Sequence, residues 1–186
     1  MTIRLTLVCQ GATAAISRVS FAHDEPLTDR SARAIGGAPG ERPTAAWCSP
    51  AVAAWQTAAG LGLDPLIEPA LRDCDYGLWR GRTLADVQAA EPEAFQEWFT
   101  DPAARPHGGE SITDLVTRVG DWLSNLNGSA HGRSFAVTHA AVIRALLVNV
   151  LAAPPASFWR IDVPPLSRIR LTAHRGRWQF RTAVTD

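Results

Sequence analysis

The residues of this chain that could do chemistry are few and well separated. His139 follows a β-branched run, Val137-Thr138, and Asp73 follows Leu71-Arg72. A carboxylate and an imidazole brought together can hold and move a proton. Cys9 closes the first apolar run and is followed by Gln10, Gly11, Ala12 and Thr13. A cysteine near a histidine can become a thiolate nucleophile; at a strand end it is more often a small, semi-buried apolar residue. Gln10 offers an amide whose nitrogen lone pair is delocalised, so it is a poor nucleophile. It reads either as a polar anchor for a ligand or as a neutral filler. His107 precedes Gly108-Gly109, and is read mainly as a solvated loop residue, with a replacement imidazole as the sharper alternative. Three cysteines, Cys9, Cys48 and Cys74, show no metal-ligand spacing and no disulfide framework. Cys48 and Cys74 read as packing residues, and His23 and His174 as surface residues. Trp98 and Trp122 read as core or subunit contacts, and Arg144 as a structural ion-pair partner.

The elements that must position these groups follow from periodicity. Residues 3–8 form an aliphatic strand running into the small-residue turn at 9–13, the kind of strand end where α/β folds place ligands. A short strand at Ala45–Cys48 leads to Ser49-Pro50, and proline suits the first turn of the helix expected to about Ala59. Residues 29–35 are weakly helical, and 36–40 form a glycine-rich surface loop. Thr83-Leu84-Ala85-Asp86 and Ser111-Ile112-Thr113-Asp114 resemble capping boxes. A short helix follows the first, and residues 92–99 form another. The second opens a helix with apolar residues at 112, 115, 116, 119, 122, 123 and 126. A strand over 134–138 precedes an apolar helix over 141–151, ended by Pro154-Pro155. Strands at 167–173 and 177–183 flank His174-Arg175-Gly176 as a hairpin. Strands alternating with helices predict an α/β fold, a three-layer α/β/α sandwich on a mostly parallel mixed sheet, with 1–186 as a single domain.

Several segments, in order, resemble one family. Leu7-Val8-Cys9-Gln10-Gly11-Ala12-Thr13 stands in place of L-V-R-H-G-E-T, and Asp24-Glu25-Pro26-Leu27-Thr28 matches D-x-P-L-T. The run from Ser49-Pro50 to Gln56-Thr57-Ala58 is similar to S-P-L-x-R-A-x-Q-T-A. Leu71-Arg72-Asp73 through Gly77-Leu78-Trp79-Arg80-Gly81 is similar to L-R-E…G-x-W-E-G. Gly108-Gly109-Glu110-Ser111 is identical to G-G-E-S, and Val137-Thr138-His139-Ala140 is similar to V-S-H-G. The chain thus resembles the histidine phosphatase, or phosphoglycerate-mutase-like, superfamily along nearly its whole length.

The resemblance implies a pocket formed by Cys9, Gln10, Thr13, Ile16, Ala53, Asp73, His107 and His139, with Asp73 and His139 as an acid/base pair and Cys9 as a speculative nucleophile. In the family the first histidine attacks phosphorus and two arginines and a second histidine clamp the dianion, chemistry that needs a ring nitrogen and concentrated positive charge. Here Gln10 takes the nucleophile position, Cys9 and Ala53 take the arginine positions, and Ile16 stands where many members carry an asparagine. Each charge-assisted bond is worth roughly 1.5–3 kcal/mol, so losing two weakens phosphate binding by about two to four powers of ten. Three functions follow as expectations. One is a pseudophosphatase with a binding or regulatory role. Another is a repurposed enzyme acting on a weakly charged small molecule. The third is a residual phosphomonoesterase working through His107 or an activated water.

Composition narrows the partners. The 18 basic residues, all arginine, balance 18 acidic ones, so there is no basic surface for nucleic acid. With no lysine, Schiff-base chemistry is excluded. No run approaches a membrane span of about 20 residues, and the N-terminal apolar run is too short for a signal peptide. The expectation is a cytoplasmic protein with no metal or cofactor. It binds a small-molecule ligand and no nucleic acid or membrane, and it forms a homodimer if it follows its relatives.

Overall fold

The computed structural model describes residues 2–36, 43–129 and 132–182. All of the glycine-rich loop except Gly36 lies outside them. The strands are β1 (Thr2–Cys9), β2 (Ala45–Cys48), β3 (Leu66–Ile67), β4 (Gly132–Thr138), β5 (Arg168–His174) and β6 (Arg177–Arg181). They form one sheet in the order β3-β2-β4-β1-β5-β6. β3, β2, β4 and β1 run parallel, while β5 and β6 add the antiparallel edge expected of the late hairpin. At its turn Arg175 and Gly176 have φ of 51° and 77°, the left-handed pair that a tight two-residue hairpin requires.

Alternation along β1 sorts the two faces. Ile3, Leu5, Leu7 and Cys9 point to one side, into a core with α6 (Ile112–Ser129) and α7 (Ala140–Val150). Val8 points to the other, with Cys48, Phe135 and Val137, against Ala54 and Ala58 of α3 (Val52–Gly60). This is the α/β/α sandwich the alternation predicted. Ile112, Leu115, Val119, Trp122, Leu123 and Leu126 are buried, so the helical stripe read for α6 is its core face. Its start is a reciprocal cap: Asp114 N–H donates to Ser111 Oγ at 3.0 Å, and Ser111 N–H donates to Asp114 Oδ2 at 3.2 Å.

Two short helices, α1 (Ala14–Ser17) and α2 (Asp29–Ala34), flank the first loop, and α4 (Leu84–Ala90) and α5 (Pro92–Thr100) carry part of an aromatic cluster built on Phe21, Trp79 and Trp98. α3 starts two residues later than Pro50 suggested. Ser49 Oγ takes the Ala51 N–H and Asp24 Oδ1 takes the Val52 N–H, at 3.2 and 2.8 Å, so a tertiary cap sets the first turn. The four-residue α1 and two-residue β3 are too short to show a period.

Candidate functional site

Strand register assembles the site. Cys9 pairs with Thr138 on β4, and Cys48 pairs with Val137. The next residues, Gln10, His139 and Ser49, therefore emerge side by side at the carboxyl edge of three adjacent parallel strands. The Gln10 N–H donates to the Thr138 carbonyl at 2.7 Å, and Thr138 Oγ1 donates to the Leu71 carbonyl at 2.7 Å, bringing the Asp73 segment alongside. The Gly11 N–H donates to Thr57 Oγ1 at 3.0 Å, tying the first loop to α3. A Cβ at Gly11 would overlap Ser31 Oγ, so only glycine lets α2 approach this closely.

His139 is the centre of a short polar line. Its Nε2 lies 2.7 Å from Ser49 Oγ, and its Nδ1 lies 3.4 Å from Asp73 Oδ2. Burial lowers the His139 pKa, with Asp73 opposing, so the ring is neutral near pH 7. The tautomer that suits both neighbours carries its proton on Nδ1, toward Asp73, and accepts the Ser49 hydroxyl at Nε2. Asp73 is also held locally, its Oδ1 taking the Cys74 N–H at 2.9 Å. Gln10 Oε1 is buried and has no hydrogen-bond partner.

Two cavities meet at Gln10, Thr13, Asp73 and His139. The first, about 290 Å³, is lined by several charged side chains, and Ala53 lines it too. Asp24, Glu25, Asp73 and Asp75 also line it, against Arg72 and Arg80. Both arginines face acids: Arg80 Nη2 lies 2.6 Å from Asp75 Oδ1, and Arg72 Nη2 lies 3.5 Å from Glu110 Oε1. Glu25 pairs with Arg18 and lies 3.3 Å from His23 Nε2. His23 is exposed, as read, and also lines this cavity. The second cavity, about 380 Å³, is walled by aromatic side chains and includes Cys9, Ile16 and Arg144.

Cys9 is buried, and its thiol is pushed up to about 12 by burial first and by Asp73 second, with Arg144 opposing. It holds its proton at neutral pH, a poor state for attack.

His107 departs from its expected place, and neither reading of it holds. It lines neither cavity and is not solvated; it is fully buried. Its ring packs edge-on against Trp79, centroids 5.1 Å apart, and its Nδ1 accepts the Gly109 N–H at 3.0 Å. Two backbone bonds pull it in: Leu78 N–H to the His107 carbonyl, and Glu110 N–H to the Asp75 carbonyl, at 2.9 and 2.8 Å. Gly77 and Gly109 permit this contact, since a Cβ on either would overlap the opposing backbone. Arg144 also departs from its reading: no carboxylate pairs with it among the described residues, and its guanidinium carbon sits 5.6 Å from the Phe158 ring centroid. Sequence reasoning overlooked Ser49 as a partner of His139; its place in the Ser-Pro motif, one residue past β2, was the available signal.

No group of His, Cys, Asp or Glu side chains that could hold a metal ion occurs among the described residues, and no described helix is long and apolar enough to cross a membrane.

Known proteins agree with this architecture. The native structure of a mycobacterial glucosyl-3-phosphoglycerate phosphatase superposes with a TM-score of 0.82 at 25% identity, over 97% of both chains. The alpha-ribazole phosphatase of Shigella flexneri superposes with a TM-score of 0.85 at 22% identity, over 96% of this chain and 94% of that one, which speaks for the fold. In sequence, a bifunctional protein of Mycobacterium tuberculosis is 30% identical over 120 residues, 62% of this chain but 33% of that protein. The glucosyl-3-phosphoglycerate phosphatase of Mycolicibacterium vanbaalenii is 34% identical over 100 residues, covering 47% of this chain and 43% of that protein. The match therefore spans a third to less than half of these two relatives' length. Residues 5–186 match the model of the histidine phosphatase superfamily, branch 1, and the chain belongs to that family.

Proposed function

We propose that this protein is a family member without phosphohistidine chemistry, whose pocket binds a neutral or weakly charged small molecule in a binding or regulatory role. The observation that carries the reading is the charge balance of the first cavity. Four carboxylates line it against two arginines, and both arginines already face acids. A phosphomonoester dianion needs the reverse balance. Gln10 supplies an amide where the family's attacking imidazole stands, and Cys9 and Ala53 supply no guanidinium. A turnover assay with 4-nitrophenyl phosphate and with glucosyl-3-phosphoglycerate, the substrate in a relative's name, tests this. No release of phosphate above the buffer rate is expected. Vanadate-sensitive turnover by the pure protein would overturn it in favour of a residual phosphatase.

A second reading is favoured by the Ser49–His139–Asp73 line. A neutral imidazole between a hydroxyl and a carboxylate is arranged for general acid/base work on such a ligand. Metabolite profiles of wild type and Asp73→Asn should then differ; identical profiles remove this reading and leave the binding role.

A further inference from the structure

The aromatic cavity beyond Gln10 has a chemistry of its own. Its walls include Ile16, Phe21, Trp98, Phe99, Phe158 and Trp159. Trp98 and Trp159 meet edge to face with centroids 4.4 Å apart, and Phe99 packs on Trp159 at 4.7 Å. At about 380 Å³ the space lies in the range of small-molecule pockets. Such walls favour an aromatic or alkyl body.

Polar groups in the same walls specify the rest of the ligand. Arg144 is the cavity's one arginine, and no protein acceptor or carboxylate engages it among the described residues; its Nε is buried without a hydrogen-bond partner. Its recorded contact is the face of Phe158. The indole N–H groups of Trp98 and Trp159 are likewise buried without acceptors. An unpaired, half-buried guanidinium is costly, and a planar carboxylate matches its fork of donors. Asp73 also borders the cavity and would repel a second negative charge. One cation and one nearby carboxylate therefore favour a singly charged anion over a dianion.

We propose that this cavity binds a monocarboxylate with an aromatic or alkyl body, its carboxylate on Arg144 and its body against the wall formed by Trp98, Phe99 and Trp159. The proposal rests on the reading that the pocket binds ligand without phosphoryl chemistry, and it names the ligand class.

Calorimetric titration with three probes of one skeleton tests it: 4-phenylbutanoate, 4-phenylbutanol and 4-phenylbutyl phosphate. The carboxylate should bind at least about tenfold tighter than the alcohol, the size of one charge-assisted hydrogen bond. It should also bind tighter than the phosphate and change tryptophan fluorescence. In Arg144→Gln the preference over the alcohol should fall below about threefold. The comparison of probes on the native protein stands even if that variant does not fold. Equal affinity for carboxylate and alcohol, no carboxylate binding, or a preference that survives Arg144→Gln would each overturn the proposal. Tighter binding of the phosphate would overturn it too. The 4-nitrophenyl phosphate assay tells the two failures apart: without turnover, loss of carboxylate selectivity overturns only the ligand class.

Discussion

Mild acid should weaken this fold through two buried histidines before its carboxylates titrate. His139 and His107 are both buried, and burial lowers both pKa values from 6.5, with Asp73 and Asp75 respectively opposing. The unfolded chain exposes these rings, and they take protons there below about pH 6.5. The folded protein keeps them neutral. Stability is therefore fully present above that pH and falls as pH drops toward the folded values. Each ring contributes a slope approaching about 1.4 kcal/mol per pH unit. Because the unfolded rings are half protonated at about pH 6.5, the step from there to about pH 5.5 costs up to about 1 kcal/mol per ring and up to about 2 kcal/mol for both. That is a sizeable share of a typical stability of about 5–15 kcal/mol. Urea unfolding followed by tryptophan fluorescence at about pH 7.5, 6.5 and 5.5 measures it. His139→Gln keeps a partner for Ser49 and removes one titrating ring, so it should lose less over the same step. Asp75 and Asp114, whose pKa values are lowered from 3.8 by hydrogen bonds, contribute stability above that value and lose it only at lower pH. A flat profile between pH 7.5 and 5.5, or the same loss in His139→Gln as in wild type, would refute the reasoning.

Removing the Ser49 hydroxyl leaves His139 Nε2 buried and unpaired, so Ser49→Ala should cost about 1–3 kcal/mol in urea unfolding; an unchanged midpoint would contradict the bond. Glu110 is 9% exposed and accepts from Arg118 Nε and Nη2, both at 2.7 Å, so Glu110→Ala removes the carboxylate of a buried ion pair and leaves the guanidinium only the carbonyls of Ala70, Arg72 and Asp73. The expected loss is about 3–5 kcal/mol, seen as a fall of roughly 10 °C in Tm. Gly77 has φ of 46° and lies against the His107 carbonyl, so Gly77→Ala should cost at least about 3 kcal/mol, and a wild-type Tm would show that the two loops need no such contact. Cys9, with its thiol pushed up to about 12, should resist iodoacetamide at neutral pH until the chain is denatured; rapid labelling of the folded protein at Cys9 would restore it as a nucleophile.

Much of the fold was legible because local signals agreed with the global answer. Ala45–Cys48 is β2 with the bounds the sequence suggested, and the apolar stripe from Ile112 to Leu126 is the buried face of α6. Ser111 and Asp114 cap one another as their spacing implied. Arg175 and Gly176, within the expected 174–176 turn, join the hairpin, and His174 closes β5. Where signals were short, or where a distant group intervened, the reading was incomplete. The first turn of α3 is set by Asp24, far away in the chain, and not by Pro50.

By itself the sequence determined which groups exist. Residue 10 is an amide, residues 9 and 53 carry no guanidinium, and Asp73 and His139 lie in motifs of one family. Which groups share space was decided by tertiary structure. Parallel register places Gln10, Ser49 and His139 at one sheet edge, although they come from residues up to 129 positions apart. Packing of Gly77 against the 107–109 backbone carries His107 into the aromatic cluster and away from the cavities. Arg144 looks like any helical arginine in sequence; only the lack of an ion-pair partner among the described residues singles it out. The physical reason is the same in each case. Local periodicity encodes which face of an element is apolar, whereas charge balance and hydrogen-bond partnership depend on contacts between segments that no local pattern records.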